Sequence, residues 1–201
     1  MKIKRLILII FFICFQTQIF AFTEEEALVR FQNRMTNFET LTGTMVWTTE
    51  LGITYIGSLQ YINPGKIYIK ITSPQNSIFV SNGRKIWLYD PENKICSIQN
   101  LDDKFSGGVS SLTKGYTLSD LQETSDGFSF QLDNKGNFFP KLLVMVDKTF
   151  FLKKIVFITK QEKETSLTII NPKTTESIRE KIFSFNVPAN TQVVKNPLDI
   201  K

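Results

Sequence analysis

The sequence predicts a mainly β protein, an antiparallel barrel or sandwich preceded by one long helix. Three observations lead there. About eleven short strand-like segments follow one another at regular spacing, separated by turns rich in Gly, Pro, Asn and Asp. A helical apolar period is sustained convincingly only near the N-terminus. Apolar residues also occupy both parities of several strands, in a chain of 201 residues with 18 phenylalanines.

The first 21 residues read as a secretory leader. Lys2, Lys4 and Arg5 precede an apolar run from Leu6 to Phe15, and Ile19-Phe20-Ala21 ends the stretch as a cleavage site. The run is about 10 residues, short of the roughly 20 that span a bilayer. Cys14 sits behind Phe12 and Ile13, where acylation of a leader cysteine calls for small residues. The expected product is a soluble, unlipidated single domain, residues 22–201, in the periplasm; a retained membrane anchor is the alternative. Loss of Lys2, Lys4 and Arg5 lowers the formal charge from +5 to +2. No basic stripe then argues for a nucleic-acid partner.

Residues 23–38, "TEEEALVRFQNRMTNF", form the helix. Thr23 and Glu26 make a capping box, the glutamates favour the N-terminal end of the dipole, and Leu28, Phe31, Met35 and Phe38 share one face. The strands "TMVWTTE" and "ITYIGSLQYI" flank Leu51-Gly52. "KIYIKIT" follows, with Ile67, Ile69 and Ile71 on one side.

"SIFVSNGRKIWLYD", residues 77–90, reads as a hairpin about a two-residue type I′ turn at Asn82-Gly83, pairing Phe79 with Ile86 and Ile78 with Trp87. One face carries Phe79, Ile86 and Leu88, the other Ile78, Val80, Trp87 and Tyr89. A sheet with one wet face alternates apolar with polar residues, so something must cover this second face. "DPEN" (Asp90–Asn93) is a type I turn into "KICSI". Further on come "GFSFQL", "KLLVMV", "KKIVFIT", "TSLTII" and "KIFSFNV". Residues 101–116 break the rhythm with Gly107-Gly108 yet keep Phe105, Val109 and Leu112; they read as a short hinged helix or as a surface loop.

Four phenylalanines belong to the leader, so 14 remain in the product. Either the sheet closes on a filled core or it curves around a cavity for an apolar ligand. Enzyme readings do badly. The absence of histidine removes histidine triads, histidine metal sites and the commonest acid–base residue. No glycine-rich phosphate loop, nucleophile elbow or metal-ligand spacing stands out, so no catalytic, metal or cofactor residues are expected. Cys96 is the one cysteine left after the leader, which excludes an intrachain disulfide, and "KICSI" places it as a small buried hydrophobe.

The order and spacing of residues 23–195, above all Gly57–Pro91, resemble the LolA family of periplasmic outer-membrane lipoprotein carriers. The family's glycine, its Arg-Pro pair six and seven residues on, a proline-bearing segment, an Asp/Asn-Gly turn and an aromatic strand ending in Tyr-Asp/Asn-Pro correspond to Gly57, Asn63-Pro64, Pro74, Asn82-Gly83, Trp87, Tyr89, Asp90 and Pro91. "FSFNVPANTQVV" resembles its terminal aromatic strand. The resemblance implies an incomplete, strongly curved barrel of about eleven strands with helices as a lid over an apolar cavity. It further implies a monomer that takes acylated lipoproteins from an inner-membrane ABC transporter to an outer-membrane acceptor. Ile78, Val80, Trp87 and Tyr89 are expected to line the cavity, since the opposite hairpin face has fewer large residues, and Trp47 is a further cavity candidate. Phe105, Gly107, Gly108, Val109 and Leu112 are expected in the lid.

One departure stands out. Where the family has an arginine that holds lid backbone, this chain has Asn63, too short and neutral for the same charge-assisted grip. Lys66 is the nearest base that could substitute. Competing readings are a half-barrel lipid-binding sensor, for whose second domain no room is expected after Val187, a LolB-like acceptor anchored through its own cysteine, and an enzyme acting on lipid headgroups.

Overall fold

The computed structural model describes residues 22–101 and 113–197. The expected leader and the residues expected in the lid, Phe105, Gly107, Gly108, Val109 and Leu112, lie outside them.

Helix α1 spans Glu24–Thr36 and starts where the sequence places it. The Glu26 amide donates to Thr23 Oγ1 at 3.2 Å, and the Thr23 amide donates to Glu26 Oε2 at 2.8 Å. Two otherwise orphaned donors are thereby satisfied within one turn. Ala27, Phe31 and Met35 form the buried stripe, and Phe38 continues it past the helix end.

Twelve strands follow: β1 (Thr40–Thr48), β2 (Thr54–Ile62), β3 (Lys66–Ser73), β4 (Ser77–Asn82), β5 (Lys85–Asp90), β6 (Ile95–Asn100), β7 (Thr117–Thr124), β8 (Gly127–Asp133), β9 (Lys141–Asp147), β10 (Leu152–Ile158), β11 (Glu164–Lys173) and β12 (Gln192–Lys195). They form one curved sheet in the order β12-β6-β5-β4-β3-β2-β1-β11-β10-β9-β8-β7. β12 and β7 are its edges, so the barrel stays open. All neighbours are antiparallel except β12, which runs parallel to β6.

Ten of the expected segments are strands; "KIFSFNV" is not. Its first residues form a short 3-10 helix, Glu180–Phe183, whose Phe183 is buried. β7 escapes the alternation test because Asp120, at φ 54°, sits in a register shift between Ser119 and Gln122, leaving Leu118 and Leu121 three residues apart. β12 is only four residues long, and all four are exposed.

The β4–β5 turn is also wider than expected. Asn82 Oδ1 accepts from the amides of Arg84 (2.9 Å) and Lys85 (2.8 Å), so Ser81 pairs with Ile86 and Ile78 with Tyr89. The side chain takes amides that a two-residue turn would leave to the strand ladder. Because the slip is two residues, each side chain keeps its face.

Register then follows both faces across the sheet. Leu41, Tyr61, Ile67, Ser81, Ile86 and Gln99 are successive partners in one row. Leu41 belongs to the buried core under α1 with Phe31, Phe130, Leu142 and Ile155, so this row marks the helix face. Ile78, Val80, Trp87 and Tyr89 have the opposite parity and lie on the outer face. Gly57 sits at a β2–β3 register shift where a Cβ would meet the Lys70 carbonyl oxygen at 2.5 Å, so no larger residue fits that approach.

Candidate functional site

α1 covers only part of the helix face. It packs along β7, and Phe31 meets Phe130 edge-on at 5.4 Å. Across β1–β5 a second row joins Gly43, Leu59, Ile69, Phe79 and Leu88, and a fourth pairs Trp47 with Tyr55. Leu59, Ile69, Phe79 and Tyr55 are half-buried, while Trp47 and Leu88 are 39% and 47% exposed. None of the partners in these rows is charged, and the intervening row supplies Met45, Gly57, Ile71 and Ser77. The outer face of the same strands carries Lys66, Lys70 and Lys85.

Two polar residues of this floor, Ser81 and Tyr61, are turned to local partners. Ser81 Oγ donates to the Gly65 carbonyl at 3.1 Å and accepts from the Gly83 amide at 3.2 Å. The Tyr61 hydroxyl donates to Asn63 Oδ1 at 3.1 Å. Burial pushes its ionisation above the ordinary phenol value, against a backbone hydrogen bond from Gly65. What remains is a largely apolar surface, with Leu59, Ile69, Ile71, Phe79 and Leu88 on one face of neighbouring strands.

The expected cavity residues separate. Trp47 lies on this floor. Ile78, Val80, Trp87 and Tyr89 do not, and that orientation is corrected by the register. Their face is covered by the chain after β11. Thr40 Oγ1 donates to the Glu176 carbonyl at 2.8 Å, Lys66 Nζ pairs with Glu180 Oε2 at 3.1 Å, and the Tyr89 and Phe185 rings lie 5.6 Å apart. Val80, Cys96 and Phe183 are fully buried there. The second apolar face of the hairpin is thus met by the protein's own C-terminal segment. Leu59, Ile69, Phe79 and Leu88 were missed as floor residues, although the Ile67–Ile69–Ile71 stripe, carried across the next hairpin, leads to Phe79.

Asn63 does make a multidentate contact, though a neutral one. Its Nδ2 donates to the carbonyls of Thr36 (3.0 Å) and Phe38 (3.3 Å), gripping the chain as it leaves α1. Lys66 does not stand in for it, being engaged with Glu180 on the outer face. Thr113, where the described chain resumes, is buried and accepts from Gln32 Nε2 at 3.4 Å. Among the described residues no three His, Cys, Asp or Glu side chains gather to hold a metal ion.

Residues 38–186 match the family model described as outer membrane lipoprotein carrier protein LolA. An outer-membrane lipoprotein carrier protein of Pseudomonas paraeruginosa is 26% identical over 151 residues, covering 69% of this chain and 71% of that one. Its counterpart in Hahella chejuensis is 25% identical over 158 residues with the same coverage. Among solved structures, an uncharacterized conserved protein from Thermus thermophilus superposes with a TM-score of 0.58 at 14% identity, over 85% of this chain and 98% of that one. MucB superposes with a TM-score of 0.52 at 13% identity, over 85% and 65%. These two likenesses are of fold.

Proposed function

The chain belongs to the LolA family of outer membrane lipoprotein carrier proteins, and from that membership we propose that it carries acylated lipoproteins through the periplasm. On this reading it receives them from an inner-membrane ABC transporter and delivers them to an outer-membrane acceptor, with no catalytic step. The observation that carries the reading is the apolar stretch of the helix face that runs from Trp47 and Tyr55 to Phe79 and Leu88, with Trp47 and Leu88 exposed and no charged residue in the rows of Gly43 and Trp47.

The physical requirement is severe and simple. Three acyl chains of about 15 methylenes cost on the order of 35 kcal/mol to expose to water, at roughly 0.8 kcal/mol each. Apolar area answers that need, and the absence of directional contacts lets cargo pass to whichever partner offers more of it.

The test sorts substitutions by face. Phe79→Glu places a charge on the floor, where it faces acyl chains at a cost of several kcal/mol; co-purification of acylated lipoprotein should fall at least ten-fold while the protein stays folded. Val80→Glu, on the buried outer face, should instead unfold it. Normal cargo recovery with Phe79→Glu would overturn the assignment of the floor.

A further inference from the structure

We propose that one rim of the sheet docks directly on a phospholipid bilayer, inserting the tips of two hairpins into its interface. Strand direction puts the β1–β2 turn (49–53), the β10–β11 turn (159–163) and the β8–β9 turn (134–140) on the same edge. The sheet order β2-β1-β11-β10-β9-β8 makes them consecutive. The outer two carry the most exposed large hydrophobic residues of the described chain, Leu51 at 79% and Phe138 at 73%.

Their exposure is built in. The Gly52 amide donates to the Thr49 carbonyl at 2.9 Å and the Thr49 amide to the Ile53 carbonyl at 3.0 Å, closing a tight turn with Leu51 at its tip. In the other loop, the Asn134 amide donates to the Pro140 carbonyl at 2.8 Å, and the Tyr116 hydroxyl to the Phe139 carbonyl at 2.6 Å. Hairpin turns are normally polar for the solvation of their backbone, so apolar side chains held outward on two neighbouring ones need an occupant.

Two features select lipid over protein. The tips are separated by four strand spacings, about 19 Å along the arc, and the charged Lys163–Glu50 pair (3.2 Å) ties the middle turn to the Leu51 turn. Such isolated prongs do not make the contiguous apolar face of a protein interface, whereas a fluid interface admits each separately. Each tip leads onto the helix face by its own route, the Leu51 turn onto the floor and the Phe138 loop onto the core next to it. Trp47 and Tyr55, 5.5 Å apart, lie just beneath the Leu51 turn, and Phe138 leads through Phe139 to Phe157 by ring contacts of 4.8 and 5.1 Å. A docked rim would let an acyl chain reach the floor along apolar surface. The three turns carry nearly balanced charge (Glu50, Lys135, Lys160, Glu162, Lys163), so a zwitterionic bilayer suffices.

The proposal extends the carrier reading, but its test needs no cargo, so its failure would leave that reading standing. The full-length chain, expressed with its own leader and purified as its host processes it, is floated with phosphatidylcholine vesicles. The parent protein should float; Phe138→Ser and Leu51→Ser should each lower its partition about ten-fold; Met145→Ser, 51% exposed on the outer face, should leave it unchanged. Circular dichroism of each variant checks the fold. A parent that stays unbound, or a Phe138→Ser variant that floats like the parent, overturns the proposal. So does equal loss with Met145→Ser. A dimer seen by sedimentation that Phe138→Ser abolishes, without vesicle binding, would assign the rim to a second copy instead.

Discussion

At Asn63 one carboxamide serves three partners. Nδ2 reaches the Thr36 and Phe38 carbonyls, and Oδ1 accepts from the Tyr61 hydroxyl. Helix C-termini leave four carbonyls without intrahelical partners, and here a side chain from the β2–β3 turn collects one of them and ties α1 to the sheet. An arginine could do this with charge and longer reach; asparagine does it by proximity. Asn63→Ala removes all three contacts, and because the Thr36 carbonyl is exposed, water replaces part of the loss. The expected cost is about 1–2 kcal/mol, read as a lower urea midpoint with unchanged slope. An unchanged midpoint would show that the bridge adds nothing. The same residue marks a limit of sequence reading: its identity was visible, but its reach depended on where α1 ends relative to β3.

The β9–β10 turn shows how an element is held by one half-buried acceptor. Asp147 Oδ1 accepts from the Thr149 amide and hydroxyl, both at 2.7 Å, and from the Phe151 amide at 2.9 Å. That fixes Phe150 and Phe151 beneath α1, with Phe150 held at φ 63°. Burial acts to raise the Asp147 pKa, but the Thr149 and Phe151 hydrogen bonds and the Arg34 charge together bring it below the ordinary 3.8. A lowered carboxyl pKa contributes stability that is present above the unfolded value and lost as pH falls through the folded one. Asp147→Asn should therefore lower stability by about 1–2 kcal/mol at pH 7, and the gap to the parent should close below pH 3.8. A gap that persists undiminished at pH 2 would assign the loss to geometry and not to charge. Elements of this kind were legible in proportion to how local their causes are. The capping box of α1 lies within one turn and was read in full. The bulge hides β7 from the sequence pattern, and "KIFSFNV" reads as a strand because apolar alternation does not distinguish a strand from a plug that inserts every other ring into a neighbouring face.

At the scale of the whole molecule, a single sheet has two apolar faces and two different covers. α1 closes part of one; the segment after β11 closes part of the other. Sequence parity showed that both faces were apolar but could not rank them, because that depends on where the two covers lie. The outer cover has a reporter. Cys96 pairs across β5–β6 with Tyr89, Tyr89 meets Phe185, and Cys96 is fully buried, which pushes its thiol pKa up. Thiol reagents act on the thiolate and need access, so the folded protein should label at Cys96 only through opening of this cover. Phe183→Ala removes the buried ring of the 3-10 helix, at an expected cost of about 3–5 kcal/mol. Labelling, mapped to Cys96 by peptide mass, should accelerate in step with that loss, while cargo recovery by the fraction still folded is unchanged because the floor lies on the other face. If Cys96 in the parent labels as fast as in the unfolded chain, the cover is not closed. If Phe183→Ala leaves the rate unchanged, the C-terminal segment is not what shields this face, and the two-cover account fails with it.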